Sequence, residues 1–418
     1  MIFLMMASHV ERVRSGWLYF TFLFILFISC GKDGISELAP PGPGPVNPPA
    51  PPADTVPSLT TVRSWLVDKN ATEQTAALFY NLKKVAKTHV LFGHQDDTKR
   101  GYNWANEQHL PAVSRERSDV KDVTGSYPAV YGHDFIHIAN FEDGNWYDYE
   151  EKIAHDLAVD AYNRGGVNTF AWHYFNPVSK GSFYWEQSPV EVVSRILPGG
   201  DHHDIYKNSL KEIADFAKSL IGADGKLVPF IFRPFHEFDG DWFWWGKAHC
   251  TSAQYIALYQ FTVTYLRDEM GVRNILYAWS PDRGFNSESQ LLERYPGNNY
   301  VDIVGMDNYW DLRTGTSPSV ASGKLKILSD YAIKHNKVAA LTETGLNNLT
   351  QTDWYTQMLL PVLKQNKIQV AYAMVWANTK DAFWTPYKGH AAESNFISFK
   401  NDPYILFGDK LPGMYQLK

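Results

Sequence analysis

Two glutamates occupy positions from which a carboxylate could do chemistry. Glu237 ends the apolar run 228–237, VPFIFRPFHE, and Glu343 ends the run 338–343, VAALTE. Both runs read as strands, and turn or loop residues follow each of them. In a parallel barrel, the carboxyl ends of the strands open on the mouth where the active site lies. Two carboxylates in one aromatic-lined cleft are what the hydrolysis of a glycosidic bond requires.

The two carboxyl groups must differ in proton affinity to divide this work. If they lie about 5 Å apart, one attacks as a nucleophile and the configuration of the sugar is retained. We expect Glu237 to be protonated, because apolar surroundings and a neighbouring negative charge disfavour its ionised form. Glu343 must stay ionised, helped by donors such as Thr342, Tyr309 or Arg233. After the first step, Glu237 would act as a base and activate water.

The elements that would position these residues alternate between strand-like and helix-like stretches. The strand-like runs are mostly apolar rather than alternating, which is typical of strands buried on both faces. Strand–helix alternation repeated to eight strands indicates an α/β fold, a single (β/α)8 TIM barrel. The candidate strands are residues 90–94, 129–133, 167–173, 228–237, 274–279, 301–307, 338–343 and 369–376. The candidate helices are residues 71–88, 206–220, 253–267 and 324–335.

Nearly every candidate strand ends in polar or aromatic residues, which places their side chains at one mouth. The histidines among them invite a zinc site, but strand one lacks His-x-His and no Cys–His spacing is present. No Gly-x-Gly-x-x-Gly follows the first strand, so a dinucleotide site is disfavoured. We therefore expect no metal and no cofactor. The strand-end residues are His94, His133, Asp134, Trp172, His173, His236, Glu237, Ser280, Asp282, Asp307, Asn308, Tyr309, Glu343, Trp376 and Asn378.

The amino-terminal segment reads as an export signal. Residues 1–29 combine two arginines with the apolar stretch 17–28, which suits a signal peptide and is short for a membrane span. The stretch ends in Ser-Cys-Gly around Cys30, which resembles a bacterial lipobox, although Phe27 replaces the usual leucine. We expect an exported lipoprotein, anchored in a bacterial membrane through Cys30 and facing the periplasm or the cell surface. The alternative is an ordinary cleaved signal peptide in which Cys30 is incidental.

The rest of the chain divides into a linker and one catalytic domain. Residues 30–57 contain a tract rich in proline, which removes backbone donors and predicts an extended linker. Residues 58–418 are long enough for a barrel with insertions. If Cys30 is lipidated, Cys250 has no partner, because the chain has only 2 cysteines.

Charge and aromatic content narrow the class of partner. The net charge of −6 argues against nucleic acid. Trp, Tyr and Phe make up 15% of the chain, and many stand in loop-like positions, as in WFWW at residues 242–245. Aromatic rings stack on the flat C–H faces of sugars, and they also fill cores. For the loop tryptophans we favour sugar stacking over core packing.

Several motifs together resemble glycoside hydrolase family twenty-six, which consists chiefly of β-mannanases. They follow the order of the predicted strands and extend over about residues 91–376. Most of the wider clan has asparagine before the acid/base, whereas this family has histidine, as here at His236. The motifs are GHQ at 93–95, WHYFNP at 172–177, RPFHEF at 233–238, DWFWWG at 241–246, YAWSP at 277–281, YVDIVGMD at 300–307 and LTETG at 341–345.

The resemblance implies roles for individual residues of this chain. Glu237 would be the acid/base and Glu343 the nucleophile. The implied substrate contacts are His173 and Trp172 on the donor-side sugar, His236 orienting Glu237 or the substrate, Tyr309 on the nucleophile, and Trp242 and Trp376 stacking on sugar rings. One departure concerns Ala377, which stands where several relatives carry an arginine that grips the second donor-side sugar.

The leading hypothesis is a secreted, retaining mannan endo-1,4-β-mannosidase acting on mannan, glucomannan or galactomannan. Within the same family, a β-1,3-xylanase, a mixed-linkage glucanase and a mannobiose-releasing exo-mannanase stay open. Segment 175–203 is long enough to close the donor side in the exo case. A different class is a non-catalytic cell-surface carbohydrate-binding protein, for which paired glutamates would have no use. We expect a monomer whose partner is a β-mannan polysaccharide or oligosaccharide.

Overall fold

The computed structural model describes residues 56–106, 114–140 and 145–418, without the side chains of residues 145–148 and 366. The predicted signal peptide at 1–29, Cys30 and nearly all of the predicted linker at 30–57 lie outside the described residues. Within the described part of the chain, no helix is both long enough and apolar enough to cross a membrane.

Eight parallel strands form the closed barrel that the sequence predicted. Neighbours in sequence pair in order, and β8 pairs with β1 through Leu91–Tyr372 to His94–Val375, which closes the barrel. A short segment, Ile405–Leu406, adds to β1 at its amino-terminal end. The strands are β1 Val90–Gln95, β2 Val130–Asp134, β3 Val167–Trp172, β4 Phe230–Pro234, β5 Ile275–Trp279, β6 Ile303–Asp307, β7 Val338–Thr344 and β8 Tyr372–Val375.

Helices fill most of the connections and surround the barrel. The four predicted helices are found with shifted ends, and the third passes into a π-helical turn at Tyr265–Glu269. A second π-helical turn spans Tyr355–Leu359, and a short hairpin, Arg100–Gly101 with Trp104–Ala105, follows β1. The α-helices are α1 Leu59–Trp65, α2 Glu73–Ala86, α3 Asp119–Thr124, α4 Asn145–Asn163, α5 Val193–Ile196, α6 His203–Ser219, α7 Ser252–Thr264, α8 Glu288–Leu291, α9 Pro318–Lys334, α10 Leu360–Lys364 and α11 Glu393–Asn401.

Local sequence explains where these helices begin. Thr251 caps α7 in a reciprocal capping box with Gln254, which satisfies two backbone donors at once. Ser317 caps α9, and Pro318 takes the first helical position, where its missing N–H costs nothing. These caps fix the chain direction after the loops that leave the mouth of the barrel.

The strands are buried on both faces, as their continuous apolar runs predicted. In β4, Phe230 and Phe232 belong to the core between sheet and helices, while Ile231 belongs to a second core that also includes residues of α1 and α2. Side chains alternate along a strand, so Ile231 and Arg233 face the same side. The same strand therefore supplies the outer core, the inner core and a charged group at the mouth.

Asn274 gives a test of how the amino-terminal end of β5 is held. Its buried side-chain amide donates to the carbonyls of Ala217 at 2.7 Å and Val228 at 2.9 Å. Asn274→Ala leaves both carbonyls without this donor, so we expect a loss of about 2 kcal/mol in the free energy of unfolding. Urea denaturation measures it. The matched control is Asn299→Ala at an exposed site, for which a change within about 0.5 kcal/mol is expected. Equal changes in the free energy of unfolding of the two variants would contradict this role of Asn274.

Candidate active site

Three carboxylates, carried at or just after the ends of three strands, lie close together at the mouth of the barrel. One carboxylate oxygen each of Glu237, Asp307 and Glu343 lies within 4.8 Å of the others. Glu237 follows β4, Asp307 is the last residue of β6, and Glu343 is the residue before the end of β7. Asp307 and Glu343 are buried, whereas Glu237 keeps part of its surface toward the cleft. The two glutamates that the sequence singled out are thus brought together with a third acid.

Arg233 lies between two of these acids. Its side chain is 1% exposed, and one guanidinium nitrogen contacts Asp307 at 2.6 Å while the other contacts Glu343 Oε1. The first nitrogen also donates to Ser280 Oγ at 3.2 Å. A guanidinium remains charged at any working pH, so it stabilises the ionised form of both carboxylates that it touches.

A bulge between β6 and β7 aligns the acids that Arg233 joins. Met306 is opposite Leu341, but Asp307 is opposite Glu343, so Thr342 is the extra residue on β7. The Thr342 hydroxyl donates to Asp307 Oδ1 at 2.6 Å. Bulges next to active sites commonly turn a side chain toward a new direction. Of the three donors expected to support Glu343, Thr342 therefore serves Asp307 instead.

Tyr309 supplies the second donor to Glu343. Its hydroxyl donates to Glu343 Oε2 at 2.8 Å, while Arg233 holds Oε1. Burial, together with the charges of Glu343 and Glu237, raises the pKa of Tyr309 well above its usual value, so the hydroxyl keeps its proton. Each oxygen of Glu343 thus has a donor of its own, which fixes the orientation of the carboxylate.

The turn that carries Glu237 is held in an uncommon backbone conformation. Phe235 and Glu237 have φ angles of 52° and 53°, in the left-handed region that non-glycine residues rarely occupy. Three neighbouring groups stabilise it: Tyr255 donates to the Phe235 carbonyl at 3.0 Å, Trp245 donates to the His236 carbonyl at 2.7 Å, and Glu237 N–H donates to Ser280 O at 2.9 Å. Each left-handed residue costs about 1 kcal/mol or more, so this turn persists because its surroundings determine it.

The proton affinity of Glu237 differs strongly from that of an exposed glutamate. Burial raises the pKa of Glu237 well above its ordinary value, and the negative charges of Asp307, Glu343 and Asp282 raise it further. The Trp242 indole N–H, which donates to Glu237 Oε2 at 2.8 Å, acts in the opposite direction. One guanidinium balances the charge of only one carboxylate among three. Glu237 therefore holds a proton more readily than an exposed glutamate, in the direction that the sequence analysis expected. Burial raises the pKa of Asp307 as well, but Arg233 and the Thr342 hydroxyl act to lower it.

Two histidines form the wall beside the carboxylates. The His173 ring nitrogen Nδ1 donates to Asp134 at 2.5 Å, and its backbone N–H donates to the same carboxylate at 3.1 Å. The rings of His173 and His236 meet edge to face with centroids 4.6 Å apart. Burial, with the charge of Arg233, lowers the pKa of His236 well below its usual value, so it is neutral. These contacts leave His173 fixed in orientation with Nε2 directed away from Asp134.

Only some of the aromatic residues that were predicted to contact sugars keep exposed surface. Trp242 and Trp376 are half-buried, and Trp376 lies edge-on to His173 with ring centroids 6.0 Å apart. The predicted contact between Trp172 and a sugar needs correction. Trp172 is 0% exposed, its indole donates to Ala139 O at 3.0 Å, and its ring stacks on Tyr174. A sugar in the cleft cannot touch a ring without exposed surface. Trp172 therefore supports the wall from behind.

The loop tryptophans also require a correction. Trp244 and Trp245 are both 0% exposed, and their indoles donate to the carbonyls of Tyr174 and His236 at 2.8 and 2.7 Å. They pack edge to face on each other under the Glu237 turn. Core packing therefore holds for these two rings, and among the tryptophans of this motif Trp242 alone keeps exposed surface at the cleft.

Three further residues of the site were not assigned a role from the sequence. Asp307 and Asp134 were recognised at strand ends, but neither the bulge that turns Asp307 toward Arg233 nor the bond from Asp134 to His173 had a visible signal. Tyr184 lies in the loop after β3, where a backbone bridge joins it to Phe243. Burial, with the charges of Glu237 and Glu343, raises the pKa of Tyr184 to about 12. Its loop position gave no periodicity from which to find it.

Metal ligation was the other chemistry that the strand-end residues suggested. Among the residues that the structure describes, the acids and histidines close enough together to share an ion are Glu237, Asp307 and Glu343. Arg233 already contacts two of these three, and His94 is bonded to Asp97 at 2.8 Å. Within the described residues, no strand-end histidine belongs to such a group.

Known proteins resemble this chain over most of its length. A structure of GH26C from a Muricauda species has a TM-score of 0.81 and 40% identity, and the match covers 88% of this chain and 100% of that one. A GH26 β-mannanase from Bacteroides ovatus has a TM-score of 0.75 and 35% identity, over 83% and 98%. A mannan endo-1,4-β-mannosidase from Bifidobacterium adolescentis is 34% identical over 82% of this chain, which spans only 35% of that relative's length.

The model of glycosyl hydrolase family 26 matches residues 67–409, which include all eight barrel strands and all three acids. The carboxylate cluster thus lies inside the matched region, on a barrel shared with solved members of the family. On the extent of that match, this chain belongs to glycosyl hydrolase family 26.

Proposed function

We propose that the protein is a retaining endo-hydrolase of β-1,4-mannosidic bonds in mannan, glucomannan or galactomannan, with Glu237 as acid/base and Glu343 as nucleophile. The observation that carries the proposal is the meeting of these two carboxylates within 4.8 Å in different electrostatic surroundings. Retaining enzymes hold their carboxyl groups about 5–5.5 Å apart, whereas inverting ones leave about 6.5–9.5 Å for a water.

The surroundings divide the two roles. Glu343 receives Arg233 on one oxygen and the Tyr309 hydroxyl on the other, both of which favour the ionised form that attacks. Glu237 is the member whose pKa burial and neighbouring charge raise, which is what a general acid needs. A carboxyl group that retains its proton, beside one that is held by a cation and a hydroxyl donor, is the pattern expected of an acid and a nucleophile.

The two steps follow from these states. In the first, a Glu343 oxygen attacks the anomeric carbon, the glycosidic C–O bond breaks, and Glu237 gives its proton to the leaving oxygen. In the second, Glu237 takes a proton from water, the water oxygen attacks the same carbon, and the Glu343 ester bond breaks. The enzyme returns to its starting protonation, and two displacements leave the sugar in its original configuration.

The substrate class rests on relatives. The Bifidobacterium adolescentis relative is named a mannan endo-1,4-β-mannosidase, and so is one from Bacillus subtilis that is 27% identical. Trp242 donates to Glu237, and Trp376 packs edge-on against the fixed His173, so these half-buried rings are candidates to contact sugars beside the carboxylates.

Glu343→Ala tests the nucleophile. Removing the attacking carboxylate should lower kcat on mannan by roughly 10⁴-fold, since the remaining groups cannot form the covalent intermediate. The matched control is Glu73→Ala on the exposed start of α2, which should leave turnover unchanged.

Product length over time in the wild type separates endo from exo action, and parallel assays on xylan and mixed-linkage glucan test the substrate. Wild-type turnover by Glu343→Ala would refute the mechanism, and sugar binding without turnover by the unaltered protein would favour a binding protein.

Trp242→Phe tests the electrostatic control of Glu237. The variant keeps an aromatic ring but removes the N–H that stabilises the ionised carboxylate. The pKa of Glu237 should rise, so the alkaline limb of the kcat/KM profile should move to higher pH, because Glu237 keeps its catalytic proton longer. Trp65→Phe, at the opposite end of the barrel, should leave the limb in place. A shift to lower pH in Trp242→Phe would contradict this assignment.

The location of the enzyme is a proposal from sequence alone. We propose that lipid on Cys30 anchors the mature enzyme to a membrane, with segment 30–57 as spacer. Labelled palmitate fed to expressing bacteria should be incorporated into the wild type and into Cys250→Ala, and not into Cys30→Ala, since these are the 2 cysteines of the chain. Equal labelling of Cys30→Ala would rule out the anchor.

A further inference from the structure

Four aromatic side chains form a surface cluster at one side of the barrel mouth. Tyr102 and Tyr387 stack with ring centroids 3.7 Å apart and planes 6° from parallel. Phe383 lies edge-on to Tyr102 at 5.6 Å and to Tyr387 at 5.2 Å, and His390 packs on Phe383 at 4.9 Å. All four residues are half-buried, so each keeps part of its surface exposed to solvent. We call this group the Tyr102–Tyr387 platform.

Buried hydrogen bonds hold the platform in place. The Asp119 carboxylate accepts from Tyr102 N–H at 2.7 Å, from the Trp104 indole at 2.7 Å and from the Asn378 amide at 2.8 Å. Asn378 also accepts from Thr385 N–H at 3.0 Å, two residues before Tyr387. Asp119 is 4% exposed and Asn378 is 0% exposed. The loops after β1 and β8 are therefore joined by one bonded network rather than by the stacked rings alone.

The platform is continuous with the wall of the cleft. Asn378 lies two residues after Trp376, and the Phe383 backbone exchanges hydrogen bonds with Asn348, five residues after Glu343. Trp384 packs against Gly345, where an added Cβ would come within 2.2 Å of its ring. The same segment that carries the platform thus packs on the loop after the nucleophile.

Strand order tells which end of the substrate reaches the platform. β8 and β1 are neighbours, β7 with Glu343 lies beside β8, and β4 before Glu237 is diametrically across the mouth. In a double displacement, Glu237 faces the leaving group and the retained part of the chain stays on Glu343. The sugars beyond the retained one extend away from Glu237, which is toward the platform.

We infer that the Tyr102–Tyr387 platform binds a distal sugar ring on the retained, donor side of a β-1,4-linked mannan chain. The inference rests on the proposed function, since the direction of the chain follows from the roles of Glu237 and Glu343. Aromatic rings present a negative face to the C–H groups of a pyranose, and tyrosine adds a hydroxyl that can bond a sugar hydroxyl. Ala377 offers no polar side chain at the strand-eight position, so any contact with the distal sugar must come from other residues on this side of the mouth.

Chain-length dependence of kcat/KM is the test. The substrates are mannotriose to mannohexaose, and the enzymes are the wild type, Tyr387→Ala, Tyr387→Phe and Tyr300→Ala. Tyr300→Ala is the matched control, a half-buried tyrosine before β6 at the opposite end of the barrel. We expect wild-type kcat/KM to rise with each added sugar until the platform is filled. Tyr387→Ala should lose about fivefold on the longest substrate, mainly through KM, and nothing on the shortest.

The controls separate stacking from folding and from the proposed function. Tyr387→Phe keeps the ring and should retain most of the chain-length gain, and Tyr300→Ala should retain all of it. Equal losses of Tyr387→Ala on short and long substrates, or an undiminished chain-length gain, would overturn the platform. A loss in Tyr387→Phe as large as in Tyr387→Ala would overturn the stacking. If the wild type hydrolyses none of these substrates, the proposed function fails. Calorimetry then measures the Kd of mannohexaose for the same variants, and a fivefold weaker Kd in Tyr387→Ala alone would support the platform, whereas an unchanged Kd would overturn it.

Discussion

One buried guanidinium organises the mouth of this barrel. Arg233 contacts Asp307 and Glu343 from β4, so it joins three strands across the interior. Burying an arginine is costly unless carboxylates and hydrogen bonds compensate it, and here two acids and Ser280 do so. Removing Arg233 would leave two buried carboxylates without the cation that they share. The position of Glu343 therefore depends on the same interaction that holds the strand ends together.

The same arrangement makes Glu237 different from Glu343. Because Arg233 is shared by Asp307 and Glu343, no comparable cation compensates Glu237 among the contacts that the structure describes. Burial and the neighbouring acids then raise the pKa of Glu237. Its strained turn adds a geometric constraint, since Tyr255, Trp245 and the Ser280 carbonyl fix the backbone from three sides. Electrostatics and backbone geometry thus act together to separate two chemically identical side chains.

Much of this was predictable from sequence because long apolar runs and strand-end polar residues follow simple periodic rules. All eight strands and both glutamates were found in this way. The failures have physical causes. Trp172 directly precedes His173, and adjacent side chains in a strand point in opposite directions, so Trp172 became core support. Trp244 and Trp245 lie in the loop of Trp242, where no periodic rule predicts which rings pack into the core. Asp307 was visible as an acid, yet its pairing with Arg233 depends on a bulge that no residue pattern announces.

The central claim is that Glu343, held by Arg233 and Tyr309, forms a covalent bond to the sugar. A 2-deoxy-2-fluoro-β-mannosyl fluoride slows both steps and lets the intermediate accumulate, after which peptide mass spectrometry locates the attached sugar. The account predicts one sugar per chain, on the peptide that contains Glu343. Attachment to Glu237 or Asp307, or turnover of mannan with no attachment at any residue, would contradict it.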